Sequence, residues 1–218
     1  MPRPPPKDAL RILLVDDHAV VRQGLKQILA EEFERSQFGE AQSVQEALDL
    51  LRGRKWDVVV LDIDLPGRSG LEVLKEVKSC PARIPVLVLS MYPEDQFAIR
   101  TLKAGADGYL TKQSAPEELV NAVRKVCAGG KYVGPRLAER MAAELDESVG
   151  IRPHEGLSDR EYEVMCKIAL GKTAREIATE MALSDKTIST YRRRILQKMK
   201  FKNNSDLTRY ALEHDLVK

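Results

Sequence analysis

The sequence predicts an α/β domain followed by a smaller all-α domain. Short apolar runs alternate with helical patterns as far as Gly130; strand patterns then cease, and only helical patterns follow. Strands that alternate with helices are typical of a doubly wound sheet of parallel strands. We therefore expect a five-stranded parallel sheet covered by helices, joined to a second domain of four helices.

Five apolar runs mark the predicted strands: residues 10–15, a weaker run at 38–41, 58–61, 86–89 and 108–111. Runs such as Ile12-Leu-Leu-Val15 are apolar at every position, which is typical of strands covered on both faces. Because crossovers between parallel strands are right-handed, the carboxyl ends of the strands are expected to open into one crevice.

Helical patterns separate the strands. The first helix places its apolar residues one and two turns apart: Val21, Leu25, Ile28 and Leu29. Ser114 and Glu117 have the spacing of a capping box at the last helix of this domain. Gly105 and Gly129 are placed to end two of the helices.

The second half of the chain is predicted to be helical after a linker. Residues 135–145 have a helical pattern, and residues 146–156 are polar with two glycines and one proline. Four short helices follow, with capping signals at Ser158, Thr173, Ser184 and Asn204. We expect an extended arm over residues 1–9, the sheet domain over 10–130, a linker with a helix over 131–156, and the helical domain over 157–218.

Composition narrows the class of protein. With 43% hydrophobic and 31% charged residues, the chain has the balance of a soluble globular protein. No apolar run approaches the roughly 20 residues that a bilayer span requires, and the first seven residues lack the apolar stretch of a secretory signal. Cys80, Cys127 and Cys166 are odd in number and widely spaced, so we expect reduced cysteines, a cytoplasmic location and no membrane partner.

Three carboxylates are expected to meet at the carboxyl edge of the sheet. Asp16 and Asp17 directly follow the first strand, and Asp62 ends the third. An aspartate pair after a strand is often only a solvated turn, but three carboxylates in one crevice would repel one another strongly. A divalent cation relieves this repulsion, and an all-oxygen site suits Mg²⁺. His18, next to the pair, is expected to be a loop residue and not a ligand.

A lysine and a serine are expected in the same crevice. The fifth strand ends at Lys112 and the fourth at Ser90. Carboxylates, a cation site, a fixed ammonium and a hydroxyl donor together form an arrangement for phosphoryl transfer, in which an Asp62 oxygen attacks phosphorus. Each feature alone has an unremarkable explanation, whereas the combination favours this chemistry.

Four segments of this domain resemble the receiver domains of two-component response regulators: Leu13-Leu-Val-Asp-Asp17, Leu61-Asp-Ile-Asp-Leu-Pro-Gly67, Leu89-Ser90 and Ala104-Gly-Ala-Asp-Gly-Tyr-Leu-Thr-Lys112. The resemblance covers residues 10–130 and implies a flavodoxin-like fold. It also implies that a sensor histidine kinase phosphorylates Asp62, and that Asp17 binds Mg²⁺ with the help of Asp16.

The same resemblance implies further site residues. The backbone carbonyl of Asp64 would be another Mg²⁺ ligand, and Ser90 and Lys112 would hold the phosphoryl oxygens. Tyr109 would be the aromatic switch that rotates inward as Ser90 is drawn to the phosphate. Gln113 stands where many receivers have proline.

The third helix of the second domain, over residues 184–200, has one apolar face: Ile188, Ile195, Leu196 and Met199. The opposite face carries hydrogen-bonding side chains: Ser189, Thr190, Arg193, Arg194 and Gln197. No acidic residue occurs between Lys186 and Lys202. Such a helix suits the DNA major groove, although a solvated basic face is the alternative.

Charge supports the same interpretation weakly. Residues 151–218 carry 14 Lys and Arg against 10 Asp and Glu, a net charge of +4. Residues 1–150 carry 21 against 23, a net charge of −2. Halves of opposite sign are a mild indication that the second half binds a polyanion.

Three segments of the second domain resemble a LuxR-type helix-turn-helix: Leu157-Ser-Asp-Arg-Glu-Tyr-Glu-Val-Met165, Gly171-Lys-Thr-Ala-Arg-Glu-Ile-Ala178 and Leu183-Ser-Asp-Lys-Thr-Ile-Ser-Thr-Tyr191. A receiver domain joined to a LuxR-type helix-turn-helix defines the NarL/FixJ subfamily. The resemblance implies that base edges are approached by Ser189, Thr190 and Arg193. It implies phosphate contacts by Lys186, Thr187, Tyr191, Arg194 and Lys198.

Arg192 departs from the family, in which Val or Ile is common at this position. We expect its stem to pack and its guanidinium to reach towards phosphate. In this family the fourth helix often mediates pairing of two DNA-binding domains, but Leu207 and Tyr210 could equally belong to the core.

The sequence thus predicts a phosphorylation-activated transcription regulator and not an enzyme. Phosphorylation of Asp62 would promote homodimerisation and binding to double-stranded promoter DNA, with RNA polymerase as a candidate partner. One alternative is a Mg²⁺-dependent phosphatase that forms an aspartyl phosphate at Asp62, although Pro66 stands where such enzymes usually have Thr or Val. Another is an orphan regulator that binds DNA without phosphorylation.

Overall fold

The computed structural model describes residues 10–66, 69–79, 83–91, 94–135, 137–139, 152–214, 216 and 217, except the side chains of residues 94–96. The predicted arm over residues 1–9 and the linker residues 140–151 lie outside this range. Residues 135 and 137–139 are helical, as predicted for the start of the linker helix. Two compact units separate between Ala138 and Glu139, and each is described by itself.

The first unit alternates strands and helices. Its strands are β1 (Arg11–Val15), β2 (Gln37–Ala41), β3 (Val58–Asp62), β4 (Val86–Ser90) and β5 (Gly108–Thr111). Its helices are α1 (Ala19–Glu32), α2 (Val44–Gly53), α3 (Gly70–Ser79), α4 (Glu94–Lys103) and α5 (Pro116–Cys127). These bounds agree closely with the predicted strands.

All five strands are parallel, in the order β2-β1-β3-β4-β5. This confirms the predicted doubly wound sheet. Every residue of β3 and β4 is buried, because helices cover both faces of the sheet. On one face, α1 and α5 pack against the central strands through Leu29, Leu119 and Val123.

The predicted helix ends are right in two places and wrong in one. Gly105 (φ 105°) and Gly129 (φ 88°) follow α4 and α5 in the left-handed conformation that glycine favours. The capping box of Ser114 and Glu117 does not form, because α5 begins later, at Pro116, and is capped by Ala115 without a side-chain hydrogen bond. Proline pre-sets the first turn and has no amide to cap.

The segment after α5 pairs with the exposed edge of β5. Tyr132 donates its amide to the Asp107 carbonyl at 2.8 Å, and its carbonyl accepts from the Tyr109 amide at 3.4 Å. A parallel bridge joins Gly108 to Tyr132. A Cβ atom on Gly108 would lie 3.0 Å from both the Cβ and the carbonyl oxygen of Tyr132, so a side chain at this position would crowd the bridge. No pattern in the sequence predicted this pairing.

The second unit consists of a 3₁₀ turn (Pro153–Gly156) and the helices α6 (Asp159–Ala169), α7 (Ala174–Glu180), α8 (Asp185–Met199) and α9 (Asn204–Glu213). Capping boxes form at Ser158 with Glu161 and at Thr173 with Glu176, as predicted. Its core holds apolar side chains from all four helices: Val164, Ile177, Ile188, Ile195 and Leu207. Across the described residues, we find no helix with the length and hydrophobicity of a membrane span.

Candidate functional site: an acidic pocket and an exposed basic helix

Strand register brings the predicted phosphoryl-transfer residues to one edge of the sheet. Asp16 directly follows β1, Asp62 is the last residue of β3, and Ser90 is the last residue of β4. Asp62 pairs with Leu89, and Ser90 with Thr111, so the ends of β3, β4 and β5 lie side by side. The side chains of Asp16, Asp62 and Ser90 are almost completely buried.

Lys112 joins the two buried carboxylates. Its Nζ lies 2.7 Å from Asp62 Oδ2 and 2.7 Å from Asp16 Oδ2, and its side chain is only 7% exposed. The other Asp62 oxygen, Oδ1, accepts a hydrogen bond from the Asp64 amide at 2.9 Å. The ammonium therefore holds together two carboxylates that would otherwise repel each other.

Burial and charge act in opposite directions on this pair. Burial raises the pKa of Asp62 above that of an ordinary aspartate, and this effect outweighs the Lys112 ammonium, which lowers it. Burial alone would lower the pKa of Lys112, but Asp62 and Asp16 outweigh it, so the pKa of the ammonium is raised. Lys112 is thus held firmly in its charged form.

Two carboxylate oxygens of the aspartate pair are buried but lack well-formed hydrogen bonds. Among the described residues, Asp16 Oδ2 and Asp17 Oδ1 accept no hydrogen bond of good geometry. Their cationic neighbours are at ion-pair distance: Lys112 Nζ at 2.7 Å from Asp16 Oδ2, and His18 Nδ1 at 2.9 Å from Asp17 Oδ1. Acceptors left in this state are typical of a site that a cation completes.

The potential ligand atoms of this acidic pocket lie close together. One ligand atom each from Asp16, Asp17, His18 and Asp62 fall within 4.8 Å of one another. His18, expected in a loop, is the residue that precedes α1, and its side chain is 63% exposed. The three aspartates are the buried or half-buried members, which agrees with the predicted all-oxygen donor set.

Two residues that carry no signal in the sequence hold the pocket in shape. Arg22 Nη1 on α1 donates to the Asp16 carbonyl at 2.7 Å and so fixes the backbone of the aspartate pair. A Cβ on Gly70 would lie 2.2 Å from the Asp62 carbonyl oxygen, so the start of α3 can approach β3 only as glycine. These contacts join residues from different elements, and no local sequence pattern predicts them.

The other predicted receiver residues occupy distinct positions. Tyr109 on β5 is fully buried, so its ring points into the domain. Asp64 is half-buried two residues beyond Asp62, with its amide bonded to the Asp62 carboxylate. The proposed ligand role of its carbonyl and the switch role of Tyr109 stay predictions.

In the second unit, α7 and α8 form a helix-turn-helix. The connecting turn includes Ala182 in the left-handed conformation (φ 51°). Ile188, Ile195 and Met199 of α8 are buried in the unit, whereas Leu196, predicted to join them, is half-buried. The opposite face of α8 is directed to solvent, as predicted.

The predicted DNA contacts on α8 fall into two sets. Ser189, Arg193 and Arg194 are exposed, as is Lys186 in the first turn. In the described part of the chain, Lys186, Arg193 and Arg194 form no ion pair. The other side chains are half-buried or bonded within the unit: Thr187 to Ser184, Thr190 to the Lys186 carbonyl, Tyr191 half-buried, and Lys198 to Glu161.

Arg192, the departure from the family, is bonded within the protein. Its Nε donates to Asn204 Oδ1 at 2.6 Å, which joins α8 to the first residue of α9. Its guanidinium therefore has a partner within the domain, whereas we expected it to reach towards phosphate. Leu207 is completely buried, in line with the core role considered for it, and Tyr210 is half-buried with its hydroxyl 2.8 Å from His154 Nδ1.

Comparison with protein families agrees with this geometry in both units. Residues 12–124 match the family described as response regulator receiver domain. Residues 155–211 match the family described as bacterial regulatory proteins, luxR family. The two matched segments cover the acidic pocket and the helix-turn-helix respectively.

Full-length relatives have the same organisation. The chain is 34% identical over 208 residues to the response regulator UvrY of Escherichia coli K12, covering 95% of each chain. It is 35% identical over 209 residues to the response regulator GacA of Pseudomonas aeruginosa, covering 95% of this chain and 98% of the relative.

Solved structures show a similar fold. RcsB from Salmonella enterica serovar Typhimurium, bound to promoter P1flhDC in the presence of phosphomimetic BeF3-, is 25% identical with a TM-score of 0.56; the match covers 92% of this chain and 97% of RcsB. A LuxR-family response regulator from Aurantimonas sp. SI85-9A1 is 36% identical with a TM-score of 0.58, covering 64% of this chain and 99% of that one.

Response regulators of this kind are phosphoacceptor transcription factors rather than enzymes, which contradicts the phosphatase alternative. The chain belongs to the NarL/FixJ family of two-component response regulators, in which a receiver domain is joined to a LuxR-type DNA-binding domain.

Proposed function

We propose that Asp62 is the phosphoacceptor and that its phosphorylation controls promoter binding by the second domain. The observation that carries this proposal is the buried Asp62 carboxylate, which lies between the Lys112 ammonium and the Asp64 amide. An Asp62 oxygen attacks the phosphorus of a phosphohistidine in a sensor histidine kinase. The oxygen–phosphorus bond forms as the nitrogen–phosphorus bond breaks, and the imidazole leaves with the electron pair.

The acidic pocket fits a magnesium ion. Its donors are carboxylate oxygens, and Asp16 Oδ2 and Asp17 Oδ1 are buried without a hydrogen bond of good geometry from the described residues. Asp16, Asp17, Asp62 and the backbone carbonyl of Asp64 would hold the ion. When bound, Mg²⁺ would offset the negative charge of the phosphoryl oxygens.

Lys112 and Ser90 would hold the phosphoryl group once it is attached. Lys112 Nζ is 2.7 Å from an Asp62 oxygen, close enough to bind an oxygen of a group on that carboxylate. Ser90 would donate its hydroxyl to a second oxygen. Tyr109, whose ring is buried, would be the switch.

The exposed face of α8 would read DNA. We assign base contacts to Ser189, Thr190 and Arg193. We assign phosphate contacts to Lys186, Thr187, Tyr191 and Arg194. Arginine in the major groove binds guanine bidentately, so Arg193 is the strongest candidate for sequence discrimination. Lys198, the remaining predicted phosphate contact, already donates to Glu161.

The proposal includes the domain limits and the partners predicted above. The arm spans residues 1–9, the receiver 10–130, the linker 131–156 and the DNA-binding domain 157–218. Phosphorylation would shift the population towards a homodimer that places two α8 helices on adjacent half-sites. The RcsB structure supports the link between phosphate and promoter, since that protein was bound to promoter P1flhDC in the presence of a phosphomimetic. The proposal also includes a cytoplasmic location and RNA polymerase as a candidate partner.

Labelling tests the phosphoacceptor. Full-length protein is incubated with radiolabelled acetyl phosphate and Mg²⁺, and the bound label is counted. We expect label on the wild type and on Asp49→Asn, a variant of an exposed aspartate on α2, but none on Asp62→Asn. Equal labelling of Asp62→Asn would contradict the assignment.

Selection of binding sites from random duplexes tests the DNA-reading residues. We expect Arg193→Ala to lose about 1–3 kcal/mol of discrimination at the position that it reads. Lys186→Ala, which removes a phosphate contact, should weaken binding to all duplexes alike. Unchanged sequence preference in Arg193→Ala would exclude Arg193 as a base-reading residue.

A further inference from the structure

A buried carboxylate binds the C-terminal part of the DNA-reading helix. Glu161, on α6, is only 3% exposed. Its Oε2 accepts a hydrogen bond from Lys198 Nζ on α8 at 2.6 Å, and the same oxygen accepts one from the Ser158 amide at 2.7 Å. Glu161 thus serves two roles at once, as the acidic member of a helix capping box and as the anchor of Lys198.

The charge of Lys198 is compensated within the domain. A buried carboxylate needs a cation or several donors, and Glu161 has both. The Lys198 side chain is 45% exposed, but its ammonium is at hydrogen-bond distance from a full negative charge. A phosphate that approached Lys198 would compete with Glu161, and the loss of its partner would leave Glu161 buried with only the Ser158 donors.

The anchor lies where it can set the direction of α8. Ser184 caps the first turn of α8. The C-terminal turns are fixed by buried Ile195 and Met199 and by the Lys198–Glu161 ion pair. Arg193 lies five residues before Lys198, about 7.5 Å along the helix axis. Loss of the Lys198–Glu161 ion pair would therefore tilt or rotate the base-reading residues relative to α6.

We propose that Glu161 is a positioning residue for DNA recognition, and that Lys198 is its neutralised partner and not a phosphate contact. This inference rests on the proposed role of α8 in reading DNA. Phosphate contacts release counterions from DNA, so each one steepens the fall of log affinity with log salt concentration by about 0.9. Lys198, already paired, would add nothing to this slope.

The test measures how the affinity for DNA depends on salt concentration. Two duplexes are used, one of mixed sequence and one recovered by site selection. The full-length protein is first treated with acetyl phosphate and Mg²⁺. Lys198→Met removes the ammonium and keeps most of the aliphatic stem. We expect its slope to equal that of the wild type. Lys186→Met, which removes an exposed cation without an ion pair in the described residues, should flatten the slope by about 0.9 for each bound protomer, or about 1.8 for a homodimer.

Glu161→Gln gives the complementary measurement. Glutamine can still accept from the Ser158 amide, but it releases the Lys198 ammonium. We expect a slope steeper by about 0.9 for each bound protomer on the mixed-sequence duplex, together with a lower ratio of specific to non-specific affinity. Far-UV circular dichroism establishes that each variant is folded at the temperature used.

The outcomes separate this inference from the proposed function. If Lys198→Met flattens the slope as much as Lys186→Met, Lys198 is a phosphate contact and the inference is wrong. If Glu161→Gln changes neither slope nor ratio, Glu161 does not position the helix. If the wild type binds neither duplex, the proposed function itself fails. Wild-type binding supports both if Lys198→Met keeps the wild-type slope but has a lower ratio of specific to non-specific affinity, and if Glu161→Gln has a steeper slope with a lower ratio.

Discussion

Lys112 shows how one residue can serve both stability and chemistry. Its ammonium lies between Asp16 and Asp62, two carboxylates that the fold buries almost completely. Removing one partner of a buried ionic group costs about 3–5 kcal/mol, because the remaining charge has lost its compensation. The residue proposed to bind the phosphoryl group should therefore also stabilise the receiver.

We predict that Lys112→Met lowers the free energy of unfolding of the metal-free receiver by about 3 kcal/mol. Urea unfolding in the presence of a chelator measures this value through the fluorescence of Trp56, the single tryptophan of the chain, which is buried in the receiver. Mg²⁺ should restore part of the loss, since it also compensates the carboxylates. A variant as stable as the wild type without metal would contradict the role given to the ammonium.

Glu161 should make the stability of the DNA-binding domain depend on pH. Burial alone would raise the pKa of Glu161, but hydrogen bonds from Lys198 and Ser158 outweigh it and hold the pKa below that of an ordinary glutamate. A group whose pKa is lower in the folded state stabilises the fold above its unfolded pKa, about 4.3 for glutamate. That contribution is lost as the pH falls through the folded pKa.

Calorimetry of the full-length wild type and of Glu161→Gln, from neutral pH to below the folded pKa of Glu161, checks the prediction. The stability difference between the two proteins should be largest near neutral pH. It should begin to shrink as the pH approaches the unfolded pKa, and it should vanish below the folded one. A difference that is constant with pH would mean that the charge of Glu161 contributes nothing.

Single residues differ in how far sequence alone could place them. Asp16, Asp62, Ser90 and Lys112 could be placed together because each stands at the carboxyl end of a strand of known order. The partner of Lys198 could not be predicted, because Glu161 is 37 residues away and the contact depends on how α6 packs against α8. The Arg192–Asn204 and Arg22–Asp16 hydrogen bonds were missed for the same reason.

At the scale of elements, β3 and β4 were predictable because burial on both faces leaves apolar runs, whereas β2 (Gln37–Ala41), with only its last residue buried, left a weaker run. Three helices of the second domain were predictable from their caps at Ser158, Thr173 and Ser184, whereas the fourth is capped by Asn203 and not by the predicted Asn204. The start of α5 was predicted wrongly because the spacing of Ser114 and Glu117 imitates a capping box, whereas Pro116 determines where the helix begins.

The bridge between Tyr132 and β5 was not predicted, since it leaves no periodic pattern. It covers part of the edge of the sheet along β5 and bonds the first residues of the linker to the backbone of Tyr109. A Cβ on Gly108 would lie 3.0 Å from the Cβ and the carbonyl oxygen of Tyr132 and 2.9 Å from Leu87 Cδ1, so alanine at this position would crowd both neighbours.

We predict that Gly108→Ala destabilises the receiver by about 1–3 kcal/mol, the usual cost of overpacking. Urea unfolding followed by Trp56 fluorescence provides the measurement. Gly24→Ala is the matched control: Gly24 lies within α1, and a Cβ at this position would have no atom of the described residues within 4 Å outside its own helix turn. Alanine at Gly24 should therefore stabilise the receiver by about 0.5–1 kcal/mol. Equal effects of the two substitutions would show that the Tyr132 approach imposes no packing constraint.

At the scale of the whole molecule, the two halves differ in charge and in chemistry. The acidic pocket lies in the half with net charge −2, and the exposed face of α8 lies in the half with net charge +4. The fold and family of each half could be recognised from motifs. The coupling between them could not, because it depends on the populations of states and not on a local pattern.

Coupling requires that the phosphorylated receiver favour the DNA-binding state of the protein. A tenfold change in affinity corresponds to about 1.4 kcal/mol of coupling free energy. Because coupling is reciprocal, promoter DNA should in turn favour the phosphorylated state by the same factor.

The affinity of full-length protein for a selected promoter duplex, measured by fluorescence anisotropy with and without acetyl phosphate and Mg²⁺, tests the central claim most directly. We predict that phosphorylation lowers the Kd of the wild type by about tenfold or more, a gain of at least about 1.4 kcal/mol, and leaves the Kd of Asp62→Asn unchanged. The same Kd for wild type under both conditions, or an equal gain in Asp62→Asn, would contradict it.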